Sequence, residues 1–157
     1  MTALALPADP TLDEIRVALA PAIAEAAAFD GFTPAAVRFA AEAAGVDGDV
    51  AQLAFPGGAP DMIDAWFAHV DAAMLAALPA ERLAAMKIRD RITALVEARI
   101  DTLAPQRESL RRALAVLALP TNAPLAVRLG WRAADAMWAA AGDTATDFNH
   151  YSKRAIL

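Results

Sequence analysis

The residues from Gly142 to Arg154 contain the side chains that are best suited to chemistry or recognition. Gly142 is typical of a residue that ends a helix, and Thr144 or Thr146 is typical of the cap of the next one. A helix that begins there places four side chains on one face, at i, i+3, i+4 and i+7: Asp147, His150, Tyr151 and Arg154. Such a face is either solvated or a surface for recognition.

A metal site is the first chemical interpretation of this face. Asp147 and His150 have the spacing of half a helical di-iron site, which needs paired Glu-x-x-His motifs and two further carboxylates. The chain has one such copy, and His69 is its only other histidine. Cysteine is absent, which excludes thiol nucleophiles and cysteine-based zinc sites. The common nucleotide-binding and hydrolase motifs are absent too, so we predict no metal, no cofactor and no enzymatic activity.

The remainder of the chain predicts an all-α fold. Hydrophobic residues make up 58% of its 157 residues, mostly alanine and leucine at helical spacing, which is enough for a core. Windows rich in alanine and poor in valine and threonine argue against a sheet. We predict one compact unit with a flexible lead at 1–10, a helix-turn-helix-like subdomain at 11–78 and a second helical subdomain at 79–157.

The segment Gly31–Val46 resembles the helix-turn-helix of TetR-type regulators, with Ala43-Ala44-Gly45-Val46 as its turn. A helix that reads DNA must present cations to phosphates and donors to base edges. Here Asp47 and Asp49 stand at its start, and Gln52 is the one candidate reader. We therefore predict a TetR-like helical bundle with a degenerate helix-turn-helix and no nucleic-acid binding. A ligand-responsive TetR-type transcriptional regulator is the alternative.

Charge is distributed unevenly along the chain. Residues 29–71 hold seven acids against one arginine, whereas the chain from Ala72 onward holds twelve basic residues and eight acids. In this second part, cations flank an apolar stripe of Ile88, Ile92, Leu95 or Val96, and Ile100; these cations are Lys87, Arg89, Arg91 and Arg99. This pattern indicates a solvated basic face over a core face, or a face that attracts anionic lipid headgroups.

Two predicted helices near the end carry large apolar side chains. The first, residues 106–119, is predicted to turn Leu110, Leu114 and Leu117 inward. The second, residues 125–141, aligns Val127, Trp131, Ala134 and Trp138 on one stripe. Paired tryptophans are typical of a core, but they also suit the wall of an apolar ligand pocket. The sequence leaves both interpretations open.

The N-terminal residues give a prediction about location. The first basic residue is Arg16, which follows three acidic residues, and no apolar signal segment precedes it. No stretch reaches the roughly 18–20 apolar residues that span a bilayer. We predict a bacterial-type cytoplasmic protein that makes peripheral contact with the inner membrane.

Four segments together resemble the CoQ-nine family of ubiquinone biosynthesis: Ala54–Gly58, Met86–Ile92, Leu117–Leu125 and Gly142–Arg154. The resemblance implies a TetR-like fold, a homodimer, and binding of an isoprenoid quinone or phospholipid. It also implies an accessory role, in which the quinone precursor is delivered from the membrane to a di-iron hydroxylase called CoQ-seven. Family members continue past the position of Leu157 into further helices, including a terminal amphipathic membrane-binding one, which the given sequence is expected to lack.

The resemblance also implies roles for particular residues. Asp147, Tyr151 and Arg154 match the family's patch for the hydroxylase, and His150 stands within that patch where the family usually has Trp. For the lipid we predict a pocket within residues 79–157, with six candidate lining residues: Leu95, Val96, Leu114, Leu117, Trp131 and Trp138.

Overall fold

The computed structural model describes residues 6–143 and 148–157, and all regular structure in these ranges is helical. The predicted all-α class is therefore confirmed. The helices are α1 (Leu12–Asp30), α2 (Pro34–Ala44), α3 (Gly48–Leu53), α4 (Ala59–Ala77), α5 (Ala80–Ala84), α6 (Ile88–Leu103), α7 (Arg107–Leu117), α8 (Ala123–Ala140) and α9 (Phe148–Ala155). Short 3₁₀ turns at Ala104–Gln106 and Pro120–Asn122 flank α7.

The start of α1 is fixed by a capping box. The backbone N–H of Glu14 donates to Thr11 Oγ1 at 3.3 Å, and the Thr11 N–H donates to Glu14 Oε2 at 2.8 Å. The backbone N–H of Thr11 and its hydroxyl both donate to the Glu14 carboxylate, and these two hydrogen bonds lower the pKa of that carboxyl. Pro21 lies inside α1, yet the helix continues through it to Asp30. Proline removes a single donor, and the buried residues around it hold the helix together.

The turn between α2 and α3 has the geometry that its residues predict. Gly45 adopts the left-handed conformation, with φ of 70°, and ends α2. Asp47 then caps α3, because its side chain accepts from the N–H groups of Asp49 at 2.9 Å and Val50 at 3.1 Å. This pair of helices is compatible with the predicted helix-turn-helix-like arrangement.

The chain forms two compact units. Unit 1 consists of Met1–His69 with Gln106–Asn122, and unit 2 consists of Val70–Pro105 with Ala123–Leu157. This grouping differs from the predicted division between residues 78 and 79. The difference arises because α7 belongs to unit 1, where it contacts α1.

Aromatic side chains and α1 build the core of unit 1. Trp66 is buried, with its ring centre 5.8 Å from that of Phe32 and 5.3 Å from that of Phe67. Arg16 lies at the edge of this core, where it donates to Ala54 O and to Asp64 Oδ2, both at 3.3 Å. Buried side chains of α1 and α2 complete the core: Ile15, Leu19, Ile23, Ala36 and Val37.

Helix α7 turns a different face inward from the one predicted. Its buried residues are Ser109, Ala113 and Leu117, and Ser109 Oγ donates to Ala24 O of α1 at 2.6 Å. Leu114 is 53% exposed, so its predicted inward orientation is wrong. The physical reason is size, because serine and alanine let α7 approach the backbone of α1 closely. A face of leucines would hold the two helices further apart.

The core of unit 2 gathers residues from helices α4, α5, α6 and α8. It consists of Met74, Leu78, Leu83, Leu95 and Met137. Near the first residue of unit 2, the buried carboxylate of Asp71 accepts hydrogen bonds from Arg99 and, at 3.2 Å, from Arg132 Nε. Desolvation, together with the charge of Arg132, lowers the pKa of Arg99.

Part of the predicted basic face of α6 forms hydrogen bonds and ion pairs inside unit 2. Arg91 donates to the carbonyl oxygens of Met86 and Ala141, both at 2.9 Å, and Arg99 pairs with Asp71. Two of the four predicted flanking cations therefore satisfy protein acceptors. Within the described ranges no single helix is long and apolar enough to cross a membrane, and one bent pair, Ile88–Leu117 with Pro120–Ala140, passes by length and composition.

Candidate functional site

The candidate site begins where α8 ends. Gly142 has φ of 92°, and the N–H of Asp143 donates to Trp138 O at 2.9 Å, which closes the helix end. The prediction that Gly142 ends a helix is confirmed. The predicted cap at Thr144 or Thr146, and the predicted partner residue Asp147, lie outside the described residues.

Arg154 of α9 is an internal anchor. Its side chain is 4% exposed; Nε donates to Asp135 Oδ1 at 2.6 Å, and Nη1 donates to Asp143 Oδ2 at 3.2 Å. Nη1 also donates to His150 O at 3.1 Å. Desolvation lowers the pKa of Arg154, but the hydrogen bonds and charges of the two carboxylates raise it, and the net direction is upward. The expected exposed position of Arg154 is therefore corrected, because a desolvated guanidinium needs these partners.

Lys153 and Trp138 complete the attachment of α9 to α8. Lys153 Nζ lies 2.8 Å from Asp143 Oδ1 and 5.4 Å from the centre of the Trp138 ring. The indole N–H of Trp138 donates to Lys153 O at 3.0 Å. The Asp143 carboxylate thus forms ion pairs with both Lys153 and Arg154. We call these residues the clamp: Asp135, Trp138, Asp143, Lys153 and Arg154.

An aromatic cluster of Trp131, His150 and Tyr151 lies on the same pair of helices. The ring centre of Trp131 is 6.4 Å from that of His150 and 6.0 Å from that of Tyr151. His150 and Tyr151 are in edge contact at 5.1 Å. Tyr151 is 59% exposed, so the cluster presents rigid apolar area with a phenol hydroxyl to solvent. Such groups are the usual anchors of protein interfaces.

The six predicted lipid-lining residues fall into both units. Leu95, Val96, Trp131 and Trp138 belong to unit 2, and Leu114 and Leu117 belong to unit 1. Leu95 is fully buried in the core of unit 2, and the two tryptophans are half-buried against α9. The two tryptophans therefore form the part of α8 against which α9 packs. The predicted lipid site at these residues stays a prediction.

Unit 2 contains a cleft that the sequence reasoning missed. Its volume is about 440 Å³, and its lining comes from α4 and its C-terminal end, α5 and α6: Ala77, Leu78, Arg82, Ala94, Glu97, Ala98, Asp101 and Thr102. The signal for it was present, because Ala94 and Ala98 lie at i and i+4 on α6 and their small side chains leave space. The cleft combines an apolar wall with charged groups of both signs.

The one candidate DNA-reading side chain is also used within the protein. Gln52 Nε2 donates to Pro34 O at 2.8 Å, which links α3 to the start of α2. Gln52 and Asp47 thus both hydrogen-bond to backbone groups of unit 1.

Comparisons with known proteins match the segment that carries the clamp and the aromatic cluster. The COQ9 family model matches residues 123–157. This C-terminal part of the chain is similar to the COQ9 family. The rat and human proteins named "Ubiquinone biosynthesis protein COQ9, mitochondrial" are each 47% identical over 62 residues, and the bovine one is 44% identical. These matches cover 40% of this chain but only 20%, 20% and 19% of the relatives' own lengths.

The comparison corrects the predicted location. The matched relatives are named mitochondrial, which points away from the bacterial-type cytoplasm. The prediction rested on the composition of the N-terminal residues. The composition of these residues does not determine the compartment. A targeting segment is recognised separately from the fold, and the packing of the helices does not depend on it.

Proposed function

We propose that this chain acts in ubiquinone biosynthesis as a non-enzymatic accessory protein. It binds an isoprenoid quinone precursor and presents it to a di-iron hydroxylase partner. The observation that carries the proposal is the aromatic cluster on a clamped helix, inside the segment that the COQ9 model matches. The names of the rat and human relatives support the pathway.

The clamp supports recognition because it fixes α9 before a partner arrives. Asp143 holds two cations of α9, so this helix loses little further conformational freedom when a partner binds to it. Tyr151 then offers a ring that is rigid and exposed. His150 adds a smaller ring, with its centre 5.1 Å from that of Tyr151 and 6.4 Å from that of Trp131.

The partner half of the proposal is tested with purified hydroxylase. Tyr151→Ala removes the exposed ring and is expected to weaken binding by roughly tenfold to a hundredfold. Leu53→Ala, an exposed apolar change on α3, is the matched control and should leave the affinity unchanged. If calorimetry gives the same affinity for Tyr151→Ala and for the unaltered protein, α9 is a solvated helix that does not bind the partner.

The cleft of unit 2 supports the lipid half of the proposal. Its volume lies in the range of ligand pockets, and its alanine wall suits an aliphatic segment beside polar groups for a ring or headgroup. The six predicted residues remain the alternative location. A homodimer and peripheral membrane contact, which the family resemblance implies, remain part of the proposal.

The lipid half is tested by organic extraction of the purified protein and mass spectrometry. An isoprenoid or a phospholipid is expected in repeated preparations, and its absence would count heavily against the proposal. Ala98→Phe fills the cleft and should lower the amount of lipid per protein. Ala76→Phe adds the same ring at an exposed position of α4 and serves as the control. Loss of lipid in both variants would point away from the cleft.

A further inference from the structure

Unit 1 carries an exposed aromatic groove that the proposed function does not use. The groove has a volume of about 560 Å³ and is formed by the end of α1 and by α2; it is lined by Glu25, Ala26, Phe29, Asp30 and Phe39. Phe29 is 83% exposed and Phe39 is 60% exposed. Two phenyl rings left in water at one groove mark a surface that gains free energy when it is covered.

The surroundings of the groove are acidic. Glu25 and Asp30 are both exposed at its edge. Residues 12–53, which contain α1, α2 and α3, hold seven acids against Arg16 and Arg38, a net charge of −5. Arg16 pairs with Asp64, so its charge is already balanced by a carboxylate outside this segment. The groove therefore lies in a negative potential.

One cation of α7 approaches the same end of α1. The guanidinium of Arg112 lies beside Gly31, with Nη1 3.5 Å from the position that a Cβ at that residue would take. Arg112 Nε is 3.0 Å from Glu108 Oε1, a carboxylate that Arg111 also contacts at 2.6 Å. Arg112 does not line the groove, whereas Glu25 and Asp30 do, so the edge of the groove itself is acidic.

We propose that the groove docks a cationic amphipathic helix of a protein partner. An apolar helix face covers Phe29 and Phe39, and lysine or arginine at its borders faces Glu25 and Asp30. The same carboxylates repel nucleic acid and anionic lipid. A second copy of this chain, related by a two-fold axis at this face, would bring like charges together. This proposal concerns unit 1 alone and is independent of the hydroxylase surface.

The test uses the full chain and two synthetic helices of about eighteen residues, five turns each. Both carry the same leucine face; one has lysine at its borders and the other has glutamate. We expect the lysine peptide to bind, by fluorescence anisotropy, and to bind roughly tenfold more weakly to Phe29→Ser/Phe39→Ser. Glu25→Lys/Asp30→Lys should transfer the preference to the glutamate peptide. Val17→Ser, an exposed change on α1 outside the groove lining, should bind as the unaltered protein does.

Several results would overturn the proposal. One is equal binding of both peptides, which would indicate nonspecific hydrophobic contact, and another is no binding of the lysine peptide. A third is binding of phosphatidylglycerol vesicles that Phe29→Ser/Phe39→Ser abolishes, which would make the groove a membrane contact. Circular dichroism checks the fold of each variant. Should the double serine variant not fold, the exposed charge-reversal pair decides between the outcomes.

Discussion

Replacing Arg154 by alanine tests whether the clamp holds α9 in place. The change removes the guanidinium that joins Asp135, Asp143 and the carbonyl of His150. It leaves Lys153 on Asp143, so the buried carboxylate keeps one cation. The variant therefore measures the attachment of the helix without leaving Asp143 wholly unpaired.

The expected cost follows from the exposure of each partner. Asp135 is 50% exposed, so its pair with Arg154 contributes about 1 kcal/mol. Asp143 is 8% exposed, and a charge-assisted hydrogen bond to it contributes about 2 kcal/mol. The sum is about 3 kcal/mol, a large part of the roughly 5–15 kcal/mol that stabilises a typical domain. Arg154→Lys keeps the charge but cannot reach both carboxylates, so about half of this cost should remain.

Amide hydrogen exchange is the assay that reports on α9 itself. In Arg154→Ala, amides of α9 should exchange roughly a hundredfold faster, whereas amides of α1 should keep their protection. Asp143→Asn combined with Arg154→Ala should cost less than the sum of the two single changes, since the two groups share one contact. Under the proposed function, binding of the hydroxylase should weaken as well, although Arg154 is not part of the exposed surface.

The reasoning is refuted if α9 amides in Arg154→Ala exchange within about threefold of the unaltered protein. Such a result would mean that Trp138, Lys153 and the aromatic cluster hold the helix without help. Strict additivity of the changes at Asp143 and Arg154 would likewise contradict the contact between them.

Four further substitutions test unit 1 and its pH dependence. Ser109→Ala removes the buried hydrogen bond to Ala24 and should lower the free energy of unfolding by about 1 kcal/mol in urea titrations. Leu117→Ala should cost about 2–4 kcal/mol, whereas Leu114→Ala should cost less than about 1 kcal/mol; equal costs would contradict the observed face of α7. Burial lowers the pKa of His69 below 6.5, so the unfolded chain takes up the proton first on acidification. The free energy of unfolding should therefore be highest above pH 6.5 and fall below it, and His69→Gln should flatten this dependence in thermal scans.

Features that depend on a few neighbouring residues were predictable from the sequence. The capping box of Thr11 and Glu14 needs residues three apart, and the helix ends at Gly45 and Gly142 need a residue that tolerates positive φ. The all-α class follows in the same way, because helical propensity and spacing act within one or two turns. The motif Gly142–Arg154 also indicates the COQ9 family, since that resemblance depends on the order of residues alone.

The direction of each polar side chain was decided by tertiary structure. Arg154 shares a predicted face with Tyr151, yet one is buried and the other exposed, because Asp135 and Asp143 approach only when α8 and α9 pack together. Ser109 contacts Ala24 across 85 positions of sequence, and that contact chose the inward face of α7. Helical periodicity gives the residues that share a face, but it does not give the partner that the face will meet. Desolvation and pairing between distant segments settle that, and they exist only in the folded chain.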